Sequence, residues 1–177
     1  MPKYYSQLYI RQIKYTDLRS LEWDGQYTHF RRMYKQTYKR ALRGENILWC
    51  AELLGIGVMG QLFVQLISNR KEVADGYNRA YIFAVRVHPK YRGSGIGTQL
   101  FTYAEIDLVL RGYSIATLNV AMENHSAIRL YQRLGYKIVG IEPGRWSYID
   151  HRGRKREIHE PSWRMEKFLD KNISTST

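Results

Sequence analysis

Apolar residues along this chain recur at two periods, close to 2 in some stretches and 3.6 in others, and the alternation between them predicts the elements. Ser6 to Ile13 alternates loosely and predicts an opening strand. Thr16 can cap a helix through about Asp24, with Asp17 in its first turn. Thr28 can cap a second helix to Leu42, ended by Gly44. There Phe30, Met33, Tyr34, Thr37, Tyr38 and Ala41 follow helical spacing, and Arg31, Arg32, Lys35, Lys39 and Arg40 form the other face, which reads first as a solvated face. Strands follow near 46–54 and 57–68, then a polar stretch, 69–78, with the turn signal Asp75-Gly76. Tyr81 to Val87 is nearly all apolar, which predicts a central strand. Ser94 to Arg111 reads as helix ended by Gly112, and Ser114 to Ala121 as strand. Asn124 is a good N-cap for a short helix through Leu134, ended by Gly135. Strands at Lys137–Ile141 and about Arg145–Asp150 surround Pro143-Gly144, and the basic turn from His151 to Arg156 leads to a last strand, Glu157 to Phe168. The order predicts a mixed α/β domain around one sheet.

Bulk properties narrow the class. A chain of 177 residues, 44% apolar, is long enough for one domain with a real core; residues 1–170 are expected to form it, with a frayed tail at 171–177. Ile47 to Ile67 could span a bilayer by length, but Gly55, Gly57 and Gly60 interrupt it, so two buried strands joined at Leu54-Gly55-Ile56-Gly57 explain it better. No apolar segment follows Met1-Pro2-Lys3-Tyr4-Tyr5, so no secretory signal is expected; with Cys50 as the single cysteine, a reducing, cytoplasmic setting is expected. A net charge of +12 attracts anions: nucleic acid, anionic membrane, CoA-like ligands or acidic proteins. No base-reading motif accompanies the charge, so nucleic acid and membrane are not the expected partners.

The stretch after the central strand carries the most chemistry. Arg92 leads into Gly93, Ser94, Gly95, Ile96, Gly97 and Thr98, and then a helix begins. A strand, a glycine loop and a helix start present bare backbone N–H groups, with about half a positive charge from the helix end, to a phosphate. A Walker A loop would need a lysine after its last glycine, and a dinucleotide loop would need G-x-G-x-x-G; neither is present. A second element lies about 30 residues downstream: Asn124, Ala127, Leu130, Tyr131, Gly135 and Tyr136.

Together these two motifs resemble the GNAT family, the GCN5-related N-acetyltransferases. Arg92, Gly95 and Gly97 match the family's R/Q-x-x-G-x-G/A pattern, and the downstream group matches its Asn-led A-x-x-L-Y-x-x-x-G-F/Y helix. The resemblance covers roughly residues 45 to 141. It implies a single mixed, mostly antiparallel central sheet of about seven strands flanked by about four helices. It implies acetyl-CoA as co-substrate, an amine acceptor and no metal. By position, Val85, Arg86 and Val87 would pair with pantetheine, Arg92 to Thr98 would hold the CoA pyrophosphate, and Asn124 and Ala127 would sit along the pantetheine arm. Tyr131 would protonate the leaving thiolate and touch the cofactor.

The general base is not implied. Ribosomal-protein N-acetyltransferases of the family often carry a glutamate where Asn119 stands, and histone-type members carry one near Arg79. Glu52, Glu160, His159 or a water chain are the candidates. Cys50 lies away from both motifs, so direct transfer in a ternary complex is expected rather than an acetyl-cysteine route. Three readings of function follow: an N-acetyltransferase of a small amine; a protein N-terminal or lysine acetyltransferase; and, from another class, a non-catalytic CoA-fold module on nucleic acid or an anionic surface. A homodimer is compatible with each.

Overall fold

The computed structural model of the chain describes residues 7–170. A seven-stranded sheet in the order β1-β2-β3-β4-β5-β9-β6 forms its centre, with a separate two-stranded hairpin, β7-β8. The strands are β1 (Leu8–Gln12), β2 (Asn46–Leu53), β3 (Gly57–Gln65), β4 (Arg79–Val87), β5 (Ile115–Ala121), β6 (Lys137–Glu142), β7 (Arg145–Ile149), β8 (Lys155–His159) and β9 (Ser162–Phe168). The α-helices are α1 (Arg31–Leu42), α2 (Ile96–Leu110) and α3 (His125–Arg133). β4 and β5 pair in parallel, whereas the other pairs are antiparallel, so the mixed, mostly antiparallel sheet of seven strands is as expected.

Two apolar layers cover the sheet. On one face α2 and α3 pack through Ile96, Leu100, Phe101, Ala104, Leu108 and Tyr131 onto Leu62, Ile82, Leu118 and Met165. On the other face Leu18, Leu21, Phe30 and Tyr34 pack onto Leu48, Cys50 and Phe63. The Ile47–Ile67 stretch is the β2-β3 pair with its turn at residues 54–56, and no helix among the described residues is long and apolar enough to cross a membrane.

Three elements differ from expectation. Thr28 does not cap α1: it opens a 3-10 turn, Thr28–Phe30, and its hydroxyl donates to Glu22 at 3.0 Å. The helix expected from Thr16 to Asp24 is two short 3-10 turns, Tyr15–Asp17 and Ser20–Glu22. Asp17 is held by Arg11 and by the Lys14 backbone N–H, and Trp23 and Asp24 take positive φ of 41° and 54°, which ends any helical continuation. The expected last strand, Glu157 to Phe168, divides at Glu160-Pro161 into β8 and β9, because proline cannot donate to a ladder. The tail at 171–177 and the start of the opening strand at Ser6 lie outside the described residues.

Candidate active site

The site begins where β4 leaves β5. Their ladder runs from Arg79↔Ile115 to Ile82↔Leu118 and stops, while β5 continues to Ala121 against β9. The cause is a bulge. Ala84 takes a φ of 51°, and the β3-β4 register shifts between Gln61↔Arg86 and Phe63↔Phe83. Gln61, fully buried, supports it by donating from Nε2 to the Ala84 carbonyl at 3.0 Å. Residues 83–87 therefore keep β3 on one side and have no partner strand on the β5 side. Val85, Arg86 and Val87 lie in this split.

The glycine loop closes the split at its far end. Gly93 and Gly95 take φ of 73° and 84°, a region where a side chain is strained. Gly95 caps α2 without any side-chain hydrogen bond, and the first bond back to it comes from Gln99 N. The N–H groups of Ile96, Gly97 and Thr98 thus point out of the helix start without an intrahelical acceptor. Ile96 buries its side chain in the core, so only its backbone faces the loop. A Cβ on Gly97 would lie 3.5 Å from Leu130 and 3.9 Å from Val87, so α2, α3 and the end of β4 converge there. Arg92 Nε donates to the Val87 carbonyl at 3.1 Å, and Ser94 Oγ donates to the Tyr91 carbonyl. Arg92 thereby ties the loop to the strand.

On α3, Asn124 caps the helix by accepting from Ala127 N at 3.2 Å. The cap uses Oδ1, which also accepts from Ser126 Oγ at 3.2 Å. Tyr131 is 8% exposed, with its ring against Phe101 and Tyr136. Burial, and then neighbouring Tyr81, push its hydroxyl pKa up to about 12. Tyr81, the third residue of β4, is pushed to about 12 as well, first by burial and then by Glu142, against Arg70 and the Asn119 amide. Asn119 Oδ1 and Arg164 Nε are buried with no hydrogen-bond partner, and the two residues face each other across β5-β9. An unpaired polar atom in such a notch is a place for a ligand's hydrogen bond.

The candidate bases are not gathered here. Glu52 lies on β2, two strands from β4, and is held by Arg11 at 2.7 Å. His159 and Glu160 are exposed at the neck of the hairpin. Glu142, buried near Tyr81, accepts from both Arg70 and Arg164 and is fixed as an ion-pair acceptor. Cys50 is buried away from the split, and burial pushes its thiol up to about 12, which makes a poor nucleophile. Tyr81, Gln61 and the Arg86 side chain were missed by sequence reasoning. The one signal was a tyrosine in an otherwise apolar central strand, whose hydroxyl needs a partner.

The sequence of residues 15–136 matches the Acetyltransferase (GNAT) family. The chain belongs to that family. It is 41% identical over 73 residues to an uncharacterised N-acetyltransferase of Methanocaldococcus jannaschii, a match covering 40% of this chain and 30% of that relative. The fold is similar to the crystal structure of the ribosomal-protein-S18-alanine N-acetyltransferase from Escherichia coli, with a TM-score of 0.69, 18% identity, and coverage of 96% of this chain and 98% of that one. It is also similar to the spermidine/spermine N-acetyltransferase SpeG from Vibrio cholerae, with a TM-score of 0.67, 20% identity, and coverage of 97% and 98%. One of these neighbours is named for a protein acceptor and the other for a polyamine.

Proposed function

We propose that this chain transfers an acetyl group from acetyl-CoA directly to an amine held in the split between β4 and β5. The observation that carries the reading is the convergence at one place of three parts. These are an unpaired strand edge at residues 83–87, a helix start at Gly95 with no side-chain cap, and the phenol of the buried residue Tyr131. The edge offers N–H and C=O groups to the pantetheine amides, as an added strand would. The N–H groups of residues 93–98 cradle the pyrophosphate, with the helix dipole behind them. Asn124 serves the pantetheine arm through its side-chain amide, beside Ala127.

The neutral amine attacks the thioester carbonyl; the carbon–nitrogen bond forms as the carbon–sulfur bond breaks, the thiolate takes a proton from Tyr131, and the proton lost by the nitrogen passes to water, which in turn restores the phenol. A thiol near pKa 8.5 leaves far more easily when protonated, and a positioned acid contributes roughly 10²–10⁴-fold. The orphaned Asn119 Oδ1 accepts from the incoming amine N–H and orients it. With Glu52 and Glu142 held by arginine, the acceptor favoured is one that loses its proton easily. Neutralising an α-amine at pH 7 costs about 1 kcal/mol, against about 4.6 kcal/mol for a lysine amine.

Release of free CoA thiol from acetyl-CoA, measured over amines, amino acids, polyamines and peptides, tests the reading. Amine-dependent release is expected. Tight acetyl-CoA binding without release for any amine would favour a non-catalytic module.

A further inference from the structure

The acceptor side of the split carries a cation that acetyl transfer itself does not use. Arg86 stands two residues beyond the Ala84 bulge, about 7 Å along the strand. Val85 and Val87 pack toward α2, whereas Arg86 turns to the opposite face and meets α1. Its guanidinium carbon lies 4.3 Å from the Tyr27 ring centroid and 4.8 Å from that of Phe30, two rings within 9° of parallel. Nη1 donates to the Tyr34 hydroxyl at 2.7 Å. The head group is thus fixed by two rings and one hydrogen bond.

Among the described residues no carboxylate pairs with Arg86. The contrast is internal: Arg11, Arg31, Arg70, Arg79, Arg156 and Arg164 each hold one. A half-buried cation without a counter-charge is costly to keep, and most of its five N–H donors are unused. The surroundings share its sign. His29 sits below its usual pKa because of burial first, then Arg86, His151 and Arg156, with Asp150 opposing. The Asp150 carboxylate is already occupied, accepting from Arg152 N, Arg154 N and Arg156 Nε at 2.9 Å each. His151 Nδ1 is buried without a partner. Trp146 and Tyr148 of β7 stand over Phe30 at ring distances of 6.4 and 5.0 Å and wall this mouth from the hairpin side.

We propose that the acceptor is an amine that carries a carboxylate close by, as an acidic amino acid or an acidic peptide N-terminus does, and that Arg86 reads that carboxylate. The proposal rests on the acetyl-transfer reading. A planar guanidinium fork held still matches a carboxylate bidentately, which a lysine would not. The same positive mouth disfavours polycations such as spermidine. RNA would satisfy the charge but brings no aliphatic amine.

The test compares kcat/KM at low salt for peptides that differ only in a first residue of Glu, Gln or Lys, with free glutamate and spermidine beside them. The Glu peptide is expected to exceed the Gln peptide by about tenfold or more, the Lys peptide and spermidine to be poorest, and the advantage to shrink with salt. Activity on free glutamate assigns the carboxylate to a small acceptor, and activity on the peptide alone to a protein chain; both support the proposal. In Arg86→Gln the Glu-to-Gln ratio should collapse toward one, with partial return in Arg86→Lys. Equal use of Glu and Gln peptides by the unaltered protein, a preference for spermidine, or an unchanged ratio in Arg86→Gln overturns the proposal. So does single-stranded RNA that binds the mouth and blocks the acidic peptide no better than the neutral one. If no acceptor releases thiol although acetyl-CoA binds, the acetyl-transfer reading fails instead.

Discussion

At the scale of single residues the account turns on Tyr131. Burial raises its pKa to about 12, so the phenol stays protonated across the whole working range. The sign has a consequence for pH dependence. The rate should rise as the acceptor amine loses its proton, with an apparent pKa near 8 for an α-amine, and then stay level to about pH 10. Stopped assays of thiol release from pH 6 to 10 measure this. A falling limb near pH 9 that vanishes in Tyr131→Phe would show a less buried phenol than the structure has. Asn119 matters in a different way. Its Oδ1 is buried and unpaired, and Asn119→Ala removes that acceptor. The acceptor KM should then rise while acetyl-CoA affinity holds.

At the scale of elements, the local conformation of the proposed cofactor cradle is legible in the sequence. Gly93 and Gly95 take the positive φ that their positions suggested, and Asn124 caps α3 as its residue type predicts. Gly95→Ala should cost about 1–2 kcal/mol of backbone strain and weaken acetyl-CoA binding by about tenfold, read by calorimetry. The acceptor side was less legible, for physical reasons. The bulge at Ala84 depends on the buried amide of Gln61, from a strand about 20 residues earlier, and no local pattern announces a long-range bond of that kind. The arginine clamp joins Arg86 to Tyr27 and Phe30, more than 50 residues earlier in the chain. The β7-β8 hairpin is only half legible, because Pro161 falls within the run from Glu157 to Phe168 that the structure divides into β8 and β9. Its neck depends on Gly144, where an added Cβ would lie 1.7 Å from the Glu160 carbonyl oxygen. Gly144→Ala therefore forces the neck apart. The acceptor KM should rise about fivefold or more while the acetyl-CoA dissociation constant changes less than about twofold, since the cradle at Gly95 lies elsewhere.

At the scale of the molecule, the two faces of the sheet divide the labour. α2 and α3 pack on the face of the proposed cofactor cradle, while α1 and the hairpin pack around Phe30 on the other, beside the proposed acceptor mouth. The net charge of +12 bears on both, since CoA phosphates and the proposed carboxylate acceptor are anions. Acetyl-CoA affinity should weaken several-fold between about 0.05 and 0.5 M salt, as the screening length falls from about 14 to 4 Å. The matched relative from M. jannaschii is spanned over less than a third of its length, so the sheet and its split, rather than a whole-protein likeness, carry the functional argument. The most direct measurement pairs the turnover of Tyr131→Phe with its acetyl-CoA affinity. The account predicts that turnover falls by at least about tenfold while the dissociation constant stays within about twofold of the unaltered protein. Near-normal turnover in Tyr131→Phe, with acetyl-CoA bound as tightly as before, would contradict it.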